Sequence, residues 1–248
     1  MQDITMKKIV IAALLAGYSL SAGASQTIRF AAEASYPPFE FIDANNKIQG
    51  FDVDLANALC REIDADCTFT NQAFDSLIPS LKFRRFDAVM SGMDITPERE
   101  KQVLFTQAYY DNSALFITQK GKVASVDALK GKRVGVQNGT THQKYIAEKL
   151  PEVKVVPYDS YQNAILDLKN GRLDAVFGDT AVVNEWLKKN PELAPLGEKV
   201  TDKSYFGSGL GIAVRQGNSE LQGKLNAALD KVKANGSYQA LYSKWFQQ

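Results

Sequence analysis

Two charged side chains stand out in the stretch "SGMDITPER" (residues 91–99), which follows the short apolar run "FDAVM". Thr96 suits a helix N-cap and Pro97 suits the first helical position, so the sequence predicts a helix that starts here. Arg99 would then lie in the first turn, where the helix dipole disfavours a cation. A guanidinium can donate two parallel hydrogen bonds to one carboxylate, and the carboxylate of Asp94 can accept hydrogen bonds from a cation. Taken alone, Arg99 is better explained as a solvated surface arginine, because arginines are mostly exposed.

Strands and helices alternate along the chain around this stretch. The pattern predicts strands at 27–33, 67–72 and 133–137, and helices at 52–63 and 142–150, with a strand and two helices near the C-terminus that break at Gly236. Such alternation is typical of mostly parallel sheets covered by helices. Ligands bind at the carboxyl ends of the strands in these sheets. The segments expected there are "EASYPPFEF", "SGMDITPER", "NGTTHQ" and "GDTA".

An internal repeat indicates two similar halves. Residues 74–90 and 161–177 align without a gap at an offset of 87, and seven of the seventeen positions are identical. Chance would give about one identity at ordinary residue frequencies. Both copies predict an amphipathic helix, a turn and a short apolar strand. A single offset of this length predicts two α/β lobes rather than a solenoid of short repeats.

The first 24 residues have the pattern of a cleaved secretory signal: two lysines, an apolar run and the small-residue sequence "AGA". The alternative is a transmembrane anchor, but it needs about 20 apolar residues, and "YSLS" interrupts this run. Loss of residues 1–24 removes two lysines and one aspartate and takes the formal charge from +1 to zero. A neutral chain has no electrostatic footprint for nucleic acid, so we expect no such partner.

The chain has two cysteines, Cys60 and Cys67, in the stretch "CREIDADC". Export to an oxidising compartment and the even count favour a disulfide over two separate buried thiols. No cysteine follows the predicted cleavage site closely enough to carry a lipid. We therefore expect the mature chain to be free in the periplasm and not inserted in the membrane.

Seven motifs in order, "YPPFEF", "GFDVDLANALC", "FDSLIPSL", "SGMDITPER", "GTTHQKYI", "FGDTAVVNEWL" and "GLGIAV", resemble the polar amino-acid-binding proteins that serve ABC importers. The resemblance covers essentially the whole mature chain and is to the arginine-binding branch, which is related to the lysine/arginine/ornithine and histidine binders. It implies an α/β type II periplasmic binding protein fold. Each of the two lobes would be a mostly parallel sheet flanked by helices, with a two-strand hinge between them. Lobe 1 would comprise residues 25–112 and 207–248, and lobe 2 residues 113–206.

The resemblance also implies the function. The protein would capture L-arginine in the cleft between the lobes and deliver it to the permease subunits of an ABC importer, acting as a monomer without cofactor, metal or catalytic residue. The alternatives are a binder of lysine, ornithine, histidine or glutamine, and an exported enzyme such as a dehydratase on the same fold. Catalysis would call for histidine or perturbed carboxyl groups in the cleft.

A free amino acid carries a carboxylate and an ammonium group, and a site that buries both needs a partner for each. The resemblance implies that Arg99 binds the carboxylate and Asp179 the ammonium, while Glu33 meets a distal cation. The full set of predicted ligand-binding residues is Glu33, Tyr36, Phe74, Ser91, Gly92, Met93, Asp94, Arg99, Gln137, Thr140, Thr141, His142 and Asp179.

Several of these residues have a purely structural alternative. Thr140 and Thr141 mark a helix N-terminus, which favours an anion but also needs a cap. Asp179 is the preferred residue type for an N-cap, and capping alone would look the same in the sequence. Tyr36 and Phe74 would sandwich the ligand side chain, or else pack in the core. The lysine/arginine/ornithine binders usually have a serine at Gly92 and a hydroxyl residue at Asp94, and Gln137 and His142 also differ from them.

Overall fold

The structure, a computed structural model, describes residues 26–247, so the predicted signal peptide (1–24) lies outside the described residues. The strands are β1 (Gln26–Ala32), β2 (Ser35–Tyr36), β3 (Glu40–Ile42), β4 (Ile48–Gln49), β5 (Ala65–Asn71), β6 (Ala88–Val89), β7 (Val103–Phe105), β8 (Ala114–Gln119), β9 (Arg133–Gln137), β10 (Lys154–Tyr158), β11 (Ala175–Asp179), β12 (Leu193–Val200) and β13 (Ala213–Arg215).

The helices are α1 (Phe51–Glu62), α2 (Leu77–Lys82), α3 (Pro97–Glu100), α4 (Thr141–Lys149), α5 (Tyr161–Lys169), α6 (Thr180–Lys189), α7 (Lys203–Phe206), α8 (Ser219–Ala234) and α9 (Ser237–Phe246). Short 3-10 helices cover Phe74–Ser76 and Asp127–Leu129. The helix predicted at 52–63 is α1, which begins and ends one residue earlier, and the strand predicted at 133–137 is β9. Within residues 26–247, no helix is both long enough and apolar enough to cross a membrane.

Two five-stranded sheets have the same architecture. The first has the order β5-β1-β6-β13-β7 and the second the order β10-β9-β11-β8-β12. In each, the first three strands are parallel and the fourth runs antiparallel to both of its neighbours. The predicted fold class, two mostly parallel sheets with flanking helices, is confirmed.

The internal repeat occupies the same place in both sheets. One copy forms α2 and β6, the other forms α5 and β11, and each strand is the third of its sheet. In α5, the buried residues Tyr161, Ala164, Ile165 and Leu168 recur at helical spacing and form the face that packs on the sheet. Ser160 caps this helix by accepting from the backbone N–H of Asn163 at 3.3 Å.

The segments that run between the two sheets pair with each other. The first joins β7 to β8 and the second joins α7 to β13. The backbone N–H of Tyr109 donates to Leu210 O at 2.9 Å, and the N–H of Leu210 donates to Tyr110 O at 2.8 Å. This pairing forms the two-strand connection that the resemblance implied.

A third, smaller sheet had no counterpart in the sequence prediction. Strands β2, β3 and β4 form an antiparallel sheet from the segment that follows β1. Gly50, which ends this segment, has φ +138°, and a Cβ there would lie 2.1 Å from Phe39 O. The close approach of these two backbone segments therefore requires glycine.

A disulfide between Cys60 and Cys67 ties helix α1 to the edge strand β5, as predicted, across a sequence separation of 7 residues. We expect that reducing it lowers the free energy of unfolding by about 2–3 kcal/mol, because the open loop gains entropy in the unfolded chain. Denaturant unfolding with and without reductant measures the change. The Cys60→Ser/Cys67→Ser double variant controls for incomplete reduction. An unchanged midpoint in both tests would contradict the prediction.

Candidate functional site

The carboxyl ends of parallel strands in both sheets face a common cleft. From the first sheet, the chain after β1 carries Glu33 and the chain after β6 carries Asp94. From the second sheet, Thr141 starts the helix that follows β9, and Asp179 is the last residue of β11. Each of these four side chains is less than 9% exposed. The alternation of strands and helices thus brings polar groups from segments far apart in the chain to one place.

A small cavity of about 10 Å³ lies between the lobes at this point. Its walls are Tyr36, Phe74, Gly92, Asp94, Arg99, Gln137, Thr140, Thr141, His142 and Asp179. All ten wall residues belong to the thirteen predicted from the sequence. The other three are Glu33 and Ser91, which lie behind the wall, and Met93, whose side chain is 1% exposed and packs in the core of the first sheet.

Arg99 reaches into the cleft instead of into solvent. Thr96 caps the short helix α3 by accepting from the Arg99 N–H at 3.3 Å, as the sequence predicted. The guanidinium is 9% exposed and donates to Asp94 O at 3.0 Å and, across the cleft, to Gly139 O at 3.3 Å. It lies 5.4 Å from the centre of the Phe74 ring, a cation–π distance. The alternative of a solvated surface arginine is therefore wrong.

The carboxylate of Asp179 does not cap the helix that it precedes. It occupies the N-cap position of α6 but makes no capping hydrogen bond. Instead, Tyr36 O–H donates to Asp179 Oδ2 at 2.6 Å from the other lobe, and Asn112 Nδ2 donates to Oδ1 at 2.7 Å. The Nε2 atom of His142 is 3.0 Å from the same Oδ1, in a geometry that makes no hydrogen bond.

Asp94 connects the two lobes in the same way. The hydroxyl of Thr141 donates to Asp94 Oδ2 at 2.6 Å, and Asn112 Nδ2 donates to Oδ1 at 2.8 Å. The neighbouring Thr140 is used for capping, because its hydroxyl accepts from the N–H of Gln143 and donates to Gln137 O. Of the two threonines, one therefore stabilises the helix and the other contacts the opposite lobe.

Glu33 contacts the second lobe through a cavity residue. Gln137 Nε2 donates to Glu33 Oε2 at 3.0 Å, and the hydroxyl of Ser35 donates to Oε1 at 2.6 Å. Close by, the ring of Tyr36 packs against the ring of Tyr161 with centroids 5.1 Å apart. The aromatic wall of the cleft thus comes from both lobes.

Burial dominates the electrostatics of the site. It raises the pKa of Asp94 to about 6, with a further contribution from the negative charge of Asp179, while Arg99 opposes the shift. Burial also raises the pKa of Glu33, against hydrogen bonds from Ser35 and Gln137. For Arg99, burial lowers the pKa and the nearby carboxylates raise it. The site therefore holds more acid than base, and its acids are poorly solvated.

Two residues of the site were missed by the sequence reasoning. Asn112 bridges Asp94 and Asp179, and is the last residue of the first segment predicted for lobe 1. Tyr161 packs against Tyr36 and could have been found, because the repeat aligns it with Phe74 at the same offset of 87. In the described residues, no group of three or more histidine, cysteine, aspartate or glutamate side chains could hold a metal ion.

Comparison with known proteins places the chain in a family. Residues 28–248 match the bacterial extracellular solute-binding proteins, family 3, and the chain belongs to this family. A relative from Escherichia coli (strain K12) is 76% identical over 98% of this chain and 100% of its own. A second from the same strain, ABC transporter arginine-binding protein 1, is 64% identical over 98% of this chain and 100% of its own. A solved Salmonella typhimurium periplasmic binding protein, described for its high arginine specificity, has 55% identity and a TM-score of 0.87, covering 90% of this chain and 100% of that one.

The approach of the lobes depends on a glycine at the cleft edge. Gly139 has φ +74°, and a Cβ there would lie 2.9 Å from Cβ of Asp75 in the other lobe. We expect Gly139→Ala to hold the lobes apart and to increase the radius of gyration in small-angle X-ray scattering.

Gly121→Ala is the matched control for this variant. Gly121 also has φ +74°, but a Cβ at this position would meet no other atom within 4 Å. Both variants carry the same backbone strain, about 1–2 kcal/mol for a left-handed residue, so they should lose similar stability. Identical scattering profiles for the two variants would show that Asp75 does not limit closure.

Proposed function

We propose that this protein captures L-arginine between its two lobes and delivers it to the permease subunits of an ABC importer. The observation that carries the proposal is the charge of the enclosed site. Asp94 and Asp179 line the cavity together with the guanidinium of Arg99, and Glu33 lies behind its wall; these four groups carry a net charge of −2 when all are ionised. A neutral amino acid would leave this charge uncompensated, whereas an amino acid of net charge +1 reduces it.

Each charged group of arginine has a partner in this arrangement. Arg99 binds the α-carboxylate. A guanidinium has five N–H donors, and only two of them go to backbone carbonyls here, so the others remain for the ligand. Asp179 and Asp94 accept from the α-ammonium, and Thr141 adds a hydroxyl at the N-terminus of α4. Arg99 and Asp94 belong to one lobe and Thr141 and Asp179 to the other, so a ligand that contacts all four favours the closed arrangement.

The side chain of the ligand accounts for the choice of arginine over lysine. The guanidinium takes the place of the Gln137 amide on Glu33 and donates a fork of hydrogen bonds that a compact ammonium cannot match. The planar group also stacks on the rings of Tyr36 and Phe74, which line the cavity. Relatives named for arginine binding, with 64% identity over nearly the whole chain, support this choice.

The remaining parts of the proposal concern the whole molecule. Residues 1–24 direct export and are removed, and the mature protein acts as a periplasmic monomer. Lobe 1 comprises residues 25–112 and 207–248, and lobe 2 comprises residues 113–206. The lobes close by rotating about the paired segments at Tyr110 and Leu210. Binding, not turnover, is the activity, so arginine recovered after incubation with the protein should be chemically unchanged.

Calorimetric titration with a panel of amino acids tests the ligand. Arginine should bind most tightly, lysine and ornithine more weakly, and glutamine and histidine more weakly still. Glu33→Gln should reduce the preference for arginine over glutamine by about tenfold or more, because it removes a charge-assisted hydrogen bond. Glutamine or histidine at or above arginine would overturn the proposal.

Two further variants make this test specific. Arg99→Ala should weaken all ligands alike, by about 3–5 kcal/mol, because the carboxylate of each ligand loses its buried partner. Glu220→Gln is the matched control for Glu33→Gln, since Glu220 is exposed on α8, far from the cleft, and pairs with Lys224 of the same helix at 2.7 Å. It should leave both the affinity and the ranking unchanged.

The raised pKa of Asp94 predicts that arginine binding releases protons. The ligand ammonium lowers the pKa of this carboxyl from about 6, so binding at pH 6 should release about half a proton and at pH 8 almost none. Affinity should accordingly rise from pH 5 to pH 7. Without ligand, the folded state holds this proton between about pH 4 and 6 while the unfolded state has lost it, so the free energy of unfolding falls as pH rises there.

Calorimetry in buffers of different ionisation enthalpy measures the protons released. Asp94→Asn should reduce the release, whereas Glu220→Gln should not, because its pairing with Lys224 lowers the pKa of Glu220 and keeps it ionised at pH 6. Undiminished release in the Asp94→Asn variant would contradict the assignment.

A further inference from the structure

Two buried carboxyl groups beneath the Ser91–Gly92 turn have no role in the contacts described so far. Glu40, on β3, is 0% exposed, and Asp52, in the first turn of α1, is 1% exposed. Within the described part of the chain, no ion pair joins either one to a lysine, arginine or histidine. Two adjacent buried carboxylates without a cation repel each other strongly, so such a pair is expected to retain one proton.

The hydrogen bonds around the pair show where this proton belongs. Ser91 O–H donates to Glu40 Oε1 at 2.7 Å, while Gly92 N–H and Tyr109 O–H donate to Asp52 Oδ2 at 3.0 and 2.8 Å. The other two oxygens, Glu40 Oε2 and Asp52 Oδ1, are buried and receive no hydrogen bond from a protein donor. Both carboxyl groups lie against the same turn, because Ser91 donates to one and the next residue, Gly92, donates to the other. A single proton between them satisfies both oxygens.

We propose that Glu40 is a protonated acid that donates to the Asp52 carboxylate, and that this pair is the positioning group for the ligand-binding turn at Ser91–Gly92. The proposal rests on the proposed function for the identity of the ligand. The proposal is consistent with the pKa values of the two carboxyl groups. Burial raises the pKa of Glu40 well above its usual range, and raises that of Asp52 to only about 6. Asp52 accepts hydrogen bonds from two donors and Glu40 from one, so the negative charge is better stabilised on Asp52 and the proton is on Glu40.

The pair makes hydrogen bonds that position two segments of the proposed ligand site, the Gly92 turn and the backbone at Glu33. Gly92 has φ +50°, and its buried N–H finds an acceptor in Asp52. The hydroxyl of Ser91, which donates to Glu40, also accepts from the backbone N–H of Glu33 at 2.9 Å. Loss of the acid at position 40 would leave this hydroxyl without its acceptor and Asp52 Oδ1 without a donor. The positions of both the Glu33 backbone and the Gly92 turn would then be less well defined.

The charge state of the pair can be tested without any ligand. Infrared spectroscopy of the native protein at pH 8, where ordinary carboxyl groups are ionised, should show the C=O band of a protonated carboxylic acid. Glu40→Gln should remove this band. Glu220→Gln, at an exposed glutamate on α8 that pairs with Lys224, should leave it unchanged. Absence of the band from the native protein, or its persistence in Glu40→Gln, would overturn the proposal.

The positioning role is tested by comparing two substitutions at residue 40. Glutamine reproduces a neutral acid, because its amide can donate to Asp52 and its oxygen can accept from Ser91, so Glu40→Gln should bind arginine within about threefold of the native protein. Methionine fills similar space but offers neither group, so Glu40→Met should weaken arginine binding by about tenfold or more.

Equal losses in Glu40→Gln and Glu40→Met would show that the carboxylate charge is needed, and would overturn the proposal. If Glu40→Met does not fold, the affinity of Glu40→Gln and its infrared spectrum still decide. If the native protein binds no arginine, the proposed function fails, whereas the band at pH 8 and its loss in Glu40→Gln still establish the protonated acid.

Discussion

Three carboxyl groups and one guanidinium lie in or just behind the wall of the small cavity between the two sheets, and the contacts around them compensate for this excess of negative charge. Ionised groups away from water are costly unless they are paired, and here the hydroxyls of Tyr36 and Thr141 and the amide of Asn112 supply the donors. These donors come from both lobes and from the segment that joins them. The charges that we propose as the cation site thus also determine how the lobes contact each other.

The two lobes contribute unequal chemistry from equivalent positions. At the offset of the internal repeat, Phe74 corresponds to Tyr161, and both are aromatic residues of the cleft. The same offset pairs Gly92 with Asp179, so one lobe presents a backbone turn where the other presents a carboxylate. A Cβ on Gly92 would lie 3.1 Å from the Tyr36 ring, which itself bonds to Asp179. A duplicated scaffold therefore forms an asymmetric site through differences at single positions.

The sequence predicts those features that depend on local pattern. The alternation of elements, the repeat and the cap at Thr96 were all evident from spacing and residue type, and the family motifs pointed to all ten residues of the cavity wall. The three-stranded sheet β2-β3-β4 was not predicted, because strands of two or three residues give no periodic signal. The role of Asn112 depends on a contact between segments more than sixty residues apart, which spacing alone cannot reveal.

Capping and ligand contact were indistinguishable in the sequence for a similar reason. Thr140 and Asp179 occupy the same position relative to their helices, and only the direction of each side chain separates the residue that caps from the residue that faces the cleft. Side-chain direction follows from packing against the opposite lobe. A single sequence carries little information about that packing.

The size of the closed cavity has a kinetic consequence. A space of about 10 Å³ is on the scale of one water molecule, so an amino acid does not fit between the lobes in this arrangement. Uptake then proceeds only through molecules that have opened, and the observed association rate constant is the intrinsic one multiplied by their fraction. Contacts between the lobes that never touch the ligand, such as Lys144 with Glu98 across the rim, therefore affect the fraction of open molecules and with it the observed association rate constant.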